Sequence, residues 1–161
     1  MTTSRLEVLV VEDDDAIREV LRDLLEGAGY VVQGARDGPD ALAILRASER
    51  GLLVLLDNLL PGLNGAEVLA ALDGDGSING GDADASASAG QNHTGMTRHT
   101  WIVITASPQK ITPQMAAQLQ RMGAPIITKP FDLTTLMVRI GRWQRGSPVG
   151  SSLTAHCKAR H

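Results

Sequence analysis

Three apolar runs in this chain each stop abruptly on oxygen-bearing side chains. Leu6-Glu7-Val8-Leu9-Val10-Val11 runs into Glu12-Asp13-Asp14-Asp15, Leu52-Leu53-Val54-Leu55-Leu56 ends on Asp57, and Trp101-Ile102-Val103-Ile104 ends on Thr105. Short apolar runs bounded by turn chemistry and separated by helical patterns read as buried parallel strands. In such a sheet, ligand chemistry gathers outside the carboxyl ends of the strands. The polar residues delivered to that edge are mostly carboxylates. Crowded carboxylates repel one another, and a hard cation with oxygen ligands relieves the repulsion.

The rest of the chain supplies the helices that such strands need. Ala16, Ile17, Val20, Leu21, Leu24, Leu25 and Ala28 recur at helical spacing and stop at Gly27-Ala28-Gly29. Tyr30 to Ala35 reads as a second strand, and Asp37-Gly38-Pro39-Asp40 opens a helix carrying Ala41, Leu42, Ile44 and Leu45. A third helix is expected over Ala66–Leu72 and a fourth between Ile111 and Met122. A last strand, Ile126-Ile127-Thr128, leads through Lys129-Pro130-Phe131-Asp132 into a helix carrying Leu133, Leu136, Met137 and Ile140. The order is (βα)5, an α/β fold with a doubly wound, five-stranded parallel sheet covered on both faces.

Two segments stand apart from that pattern. Residues 73–100 are rich in Gly, Ser, Ala and Asp and read as a flexible insertion within a domain spanning 1–145. Residues 146–161 lack any Asp or Glu and read as a disordered basic tail. At 161 residues and net charge −3, the chain suits one domain with appendages and favours neither nucleic acid nor membrane as partner. No apolar run reaches the ~18 residues that span a bilayer, no secretory signal opens the sequence, and the lone Cys157 forms no internal disulfide. A cytoplasmic location is expected.

Val10-Val11-Glu12-Asp13-Asp14, Leu56-Asp57-Asn58-Leu59-Leu60-Pro61-Gly62-Leu63-Asn64-Gly65, Ile104-Thr105-Ala106 and Lys129-Pro130-Phe131 follow one another in an order that resembles the receiver domain of bacterial two-component response regulators. The resemblance covers about Leu6 to Trp143, outside the insertion. It implies a flavodoxin-like strand order of 2-1-3-4-5 and a phosphoacceptor role for Asp57, phosphorylated by a sensor histidine kinase or phosphotransfer protein. It further implies Mg2+ held by Glu12, Asp13, Asp57 and the backbone carbonyl of Leu59. Lys129 would supply a fixed positive charge to the phosphoryl oxygens, Thr105 a hydroxyl that reorients toward them, and Lys129–Pro130 a cis peptide. Asp14 and Asp15 fit as helix caps. Such a domain is a signalling module rather than an enzyme, apart from slow autodephosphorylation.

The family places an aromatic residue three positions before the lysine, and Ile126 stands there in this chain. That departure keeps an alternative open: a pseudo-receiver, acting as a constitutive interaction module without phosphorylation. A Mg2+-dependent phosphatase is the poorer fit, because Leu59 occupies the position where such enzymes carry a second aspartate. Few residues follow Trp143, so no direct DNA binding is expected, and output is expected through an unknown downstream protein. Within the insertion, Asp73, Asp75, Asn79 and Asp82 resemble part of a calcium-binding loop, although a solvated acidic linker is the simpler reading.

Overall fold

The computed structural model describes residues 6–75 and 98–144. The chain divides into two units, Met1–Pro130 and Phe131–His161. The first unit holds the whole sheet: β1 (Glu7–Val11), β2 (Val31–Ala35), β3 (Leu53–Asp57), β4 (Thr100–Thr105) and β5 (Ile126–Thr128). Its helices are α1 (Asp15–Gly27), α2 (Gly38–Ala47), α3 (Gly65–Asp75) and α4 (Pro113–Met122), with a 3-10 turn at Pro108–Lys110. In the second unit, the described element is α5 (Leu133–Gln144), and Asp132 accepts from the Thr134 N–H at 3.0 Å in its first turn.

All strand pairs are parallel, in the order β2-β1-β3-β4-β5. The expected architecture and strand order are therefore observed. The central strand β3 is buried along its full length, as a parallel strand with neighbours on both sides must be. Alternation divides the core between the faces of the sheet. Leu9, Val11, Val54, Leu56, Trp101 and Val103 pack with Ala41, Leu42 and Leu45 of α2, Val68, Leu69 and Leu72 of α3, and Met115 and Leu119 of α4. Val8, Val10, Leu53, Leu55, Ile102 and Ile104 are equally buried but stand outside that cluster, as do Leu21 and Leu25 of α1. Truncating one of these leucines to alanine should cost about 2–5 kcal/mol.

Helix boundaries follow local chemistry. Asp14 caps α1 by accepting from Ala16 N at 2.9 Å and Ile17 N at 3.1 Å, and Asp37 caps α2 through Asp40 N at 2.8 Å. Thr112 caps α4, which therefore begins at Pro113 and lies within the expected Ile111–Met122 span. Gly123 ends that helix in the left-handed conformation at φ 64°. Helix α3 reaches Asp75 and β4 begins at Thr100, so ordered elements extend into both ends of the 73–100 segment. Asp73 and Asp75 fall on helix rather than loop, which removes the first half of the calcium-loop resemblance. Its remainder lies outside the described residues, as does the 146–161 tail. Ile17 and Val20, counted in the apolar stripe of α1, are exposed, and the buried stripe narrows to Leu21 and Leu25. Among the described residues, no helix is long and apolar enough to cross a membrane.

Candidate functional site

Parallel pairing brings the ends of β1, β3, β4 and β5 to one edge of the sheet. Val11 pairs with Leu56, Asp57 with Ile104, and Thr105 with Thr128, so each polar residue emerges one step past an apolar rung. The backbone carries this ladder beyond the strands: Glu12 N donates to Ala35 O at 3.0 Å, Asn58 N to Ile104 O at 3.0 Å, and Lys129 N to Thr105 O at 2.7 Å. Such continuity explains how Glu12, Asp57 and Thr105 are buried although they end strands.

Carboxylate oxygens of Glu12, Asp13 and Asp57 lie within 4.8 Å of one another, with Asp13 on the exposed side. Lys129 bridges the two buried members, its Nζ donating to Glu12 Oε2 at 2.8 Å and to Asp57 Oδ2 at 2.9 Å. The other oxygen of Asp57 accepts from Leu59 N at 2.9 Å, and Glu12 Oε1 accepts from Asp14 N at 3.3 Å. The Thr105 hydroxyl accepts from Ser107 N at 3.0 Å. Lys129–Pro130 is cis.

One ammonium facing two buried carboxylates leaves the group net negative, and both protonation equilibria register it. Burial, with the neighbouring Asp57 charge, pushes the Glu12 carboxyl above its ordinary value against the opposing pull of Lys129. Burial pulls the Lys129 ammonium down, but its hydrogen bonds to Glu12 and Asp57 prevail and hold it above the usual lysine value. A divalent cation suits this donor set: it takes carboxylate oxygen, and the cluster carries the unbalanced negative charge that it would neutralise.

The structure thus brings Glu12, Asp13, Asp57 and Lys129 together and places Thr105 at the same sheet edge. Leu59 contributes its N–H to Asp57. Two residues with no motif signal also belong to the neighbourhood of the sheet ends. Arg18, one turn into α1, returns to the Glu12 carbonyl at 2.9 Å. Its i,i+3 spacing from Asp15 is the available clue, because that spacing puts the pair on one helix face. At the opposite end of the sheet, His99 is buried, although it falls within the segment read as linker. Its position two residues before Trp101, on the same face of a β-period pattern, is the clue there.

Residues 8–79 match the response regulator receiver domain family. The chain is 41% identical over 78 residues to the DNA-binding response regulator MtrA of Mycolicibacterium smegmatis, covering 48% of this chain and 34% of that protein. It is 45% identical over 71 residues to the response regulator MprA of Mycobacterium tuberculosis, covering 44% and 30%. The chain spans about a third of the length of these curated relatives. Among solved structures, the Vibrio cholerae chemotaxis protein CheY4 superposes with a TM-score of 0.63 at 23% identity, over 86% of this chain and 98% of that one. A CheY-like receiver domain protein from Methanospirillum hungatei gives a TM-score of 0.64 at 23% identity, over 89% and 96%. At that identity these two carry the fold alone.

Over residues 8–79 the chain matches the response regulator receiver domain of two-component systems, and its fold is the one that solved receiver domains share. Receiver domains are signalling modules.

The expectation of no direct DNA binding is corrected by the relatives, since MtrA is by name a DNA-binding response regulator. That expectation rested on how few residues follow Trp143. The matched region is about a third of such a protein, so the end of this sequence carries no information on DNA binding.

Proposed function

We propose that Asp57 accepts a phosphoryl group from the phosphohistidine of a sensor histidine kinase or phosphotransfer protein, and that the acyl phosphate alters how this domain binds a downstream protein. In the transfer, a carboxylate oxygen of Asp57 forms a bond to phosphorus. The phosphorus–nitrogen bond breaks, and the imidazole leaves with the electron pair and takes up a proton. Glu12, Asp13 and Asp57, with the backbone carbonyl of Leu59, would hold Mg2+. When bound, that ion supplies positive charge to balance the phosphoryl oxygens and the crowded carboxylates. Lys129 keeps its proton throughout and offers a fixed ammonium to the same oxygens. Thr105, released from Ser107, donates its hydroxyl to the phosphoryl group. The receiver unit is proposed to extend over 1–145, with 146–161 as an appended tail.

The observation that carries this reading is the ammonium of Lys129 bridging Glu12 and Asp57, with Asp13 beside them. A buried charge cluster of this kind is expensive as scaffolding, where apolar residues of similar volume would serve better. Incubation with acetyl phosphate and Mg2+ followed by intact-mass measurement tests it. The wild-type chain should gain one phosphoryl mass and Asp57→Asn none. No gain in the wild type would leave the pseudo-receiver reading, which the exposed, ringless Ile126 favours.

A further inference from the structure

Glu12 and Asp13 stand where β1 gives way to α1, and their carboxylates are aimed only as firmly as that backbone is held. The N–H of Glu12 is fixed by Ala35 O at 3.0 Å. Its carbonyl takes a hydrogen bond from a side chain, Arg18 Nη1 at 2.9 Å. The second guanidinium nitrogen, Nη2, pairs with Asp15 Oδ1. Arg18 is itself tied by its backbone N–H to Asp14 O at 2.9 Å. The first turn of α1 therefore folds back onto the peptide that joins Glu12 to Asp13.

Strand β2 completes the arrangement. A Cβ at Gly34 would lie 3.2 Å from Arg18 Cδ and 2.9 Å from Arg22 Nη2, so the bare backbone there gives Arg18 room to lie flat. Its side chain is 19% exposed, against 82% for Asp15. A surface arginine with a merely solvating role has no need of such a bed.

We propose that Arg18 is a positioning residue for the cation site. Its guanidinium holds the Glu12–Asp13 peptide and thereby keeps two mutually repelling carboxylates converged. This inference rests on the Mg2+ reading given above. Two effects of removing Arg18 oppose each other. Loss of a nearby positive charge favours Mg2+, whereas loss of the anchor lets the empty, repelling turn open so that the ion must reorder it. Anchoring dominates, because Asp15 already balances the guanidinium charge.

Isothermal titration of the full chain with Mg2+ alone distinguishes these. Arg18→Met keeps the apolar stem and removes the donors, and should weaken Mg2+ about tenfold, with Arg18→Lys between it and wild type. Gly34→Val, which crowds the same side chain from β2, should weaken Mg2+ in the same direction, and it carries the test if Arg18→Met does not fold. A purely structural arginine would lower the melting temperature and leave the Mg2+ affinity of the folded protein unchanged. Wild-type or tighter affinity in a folded Arg18→Met overturns the proposal. A wild-type chain that binds no Mg2+ overturns both this inference and the metal reading beneath it.

Discussion

Lys129 Nζ donates to Asp57 Oδ2 at 2.9 Å, joining residues 72 positions apart in sequence. The same nitrogen serves Glu12, so the lysine is the positive charge that lets two carboxylates share a buried sheet edge. Removing one partner from a buried ionic group exposes the full desolvation cost of those left behind.

Lys129→Met should therefore destabilise the fold by about 1–3 kcal/mol in the absence of divalent cations. Urea denaturation in chelator, compared with wild type, measures it. Added Mg2+ should recover part of the loss by neutralising Glu12 and Asp57. A variant as stable as wild type in chelator would show that the ammonium is not what holds the cluster together.

Asp13→Ala addresses the exposed member of the cluster. Loss of a direct carboxylate should weaken Mg2+ by more than the ~10-fold typical of outer partners. The same change should raise the melting temperature slightly in chelator, because one of three repelling charges is gone. Melting below wild type without Mg2+ would contradict the electrostatic account of the site.

The architecture was legible because three features agree: apolar runs of strand length, helical stripes between them, and polar residues at each run's end. That Glu12, Asp13, Asp57, Thr105 and Lys129 share one edge was legible for the same reason, since parallel topology carries strand ends there whatever the loops do, whereas the roles proposed for them come from the family resemblance. Arg18 was not, because its role depends on a backbone carbonyl and on the missing side chain of Gly34, and neither writes a pattern. His99 was hidden by composition: a polar residue beside a Gly/Ser-rich stretch reads as linker, yet Leu52 N donates to its Nδ1 at 3.1 Å and Thr100 N to Leu52 O at 2.9 Å. The rim of α1 was overread, because apolar spacing reports a face without reporting that anything covers it.

His99 gives the fold an acid dependence whose sign is fixed. Burial, reinforced by the Arg98 charge and opposed by the Leu45 carbonyl, holds its imidazole below the ordinary histidine value of 6.5. Nδ1 accepts from Leu52 N–H, so protonating the ring sets two donors against each other. Below about pH 6.5 the unfolded chain binds the proton more readily than the folded one. This contribution to stability is thus complete above that pH and declines as pH falls toward the depressed folded value. His99→Gln should flatten the fall in urea midpoint below about pH 6.5 relative to wild type. Parallel curves for the two proteins would remove His99 from the account.

The coupling of Asp57 to the surface should be modest, because Ile126 offers no ring to move between two positions. A modification shifts an equilibrium only by its differential interaction with the two states. With Asp57 phosphorylated, the differential contact on β4 is the Thr105 hydroxyl, now accepting from Ser107 at 3.0 Å and then donating to a phosphoryl oxygen. A charge-assisted hydrogen bond of roughly 1.5–3 kcal/mol shifts a population by about one to two orders of magnitude. A beryllofluoride mimic should therefore change NMR shifts near Thr105, Ile126 and α4. Thr105→Ala should abolish most of those changes while Asp57 still gains phosphoryl mass from acetyl phosphate. If the variant keeps the wild-type pattern of shifts, the hydroxyl is not the coupling element, and the signal leaves Asp57 through the backbone ladder from Asn58 to Ile104 instead.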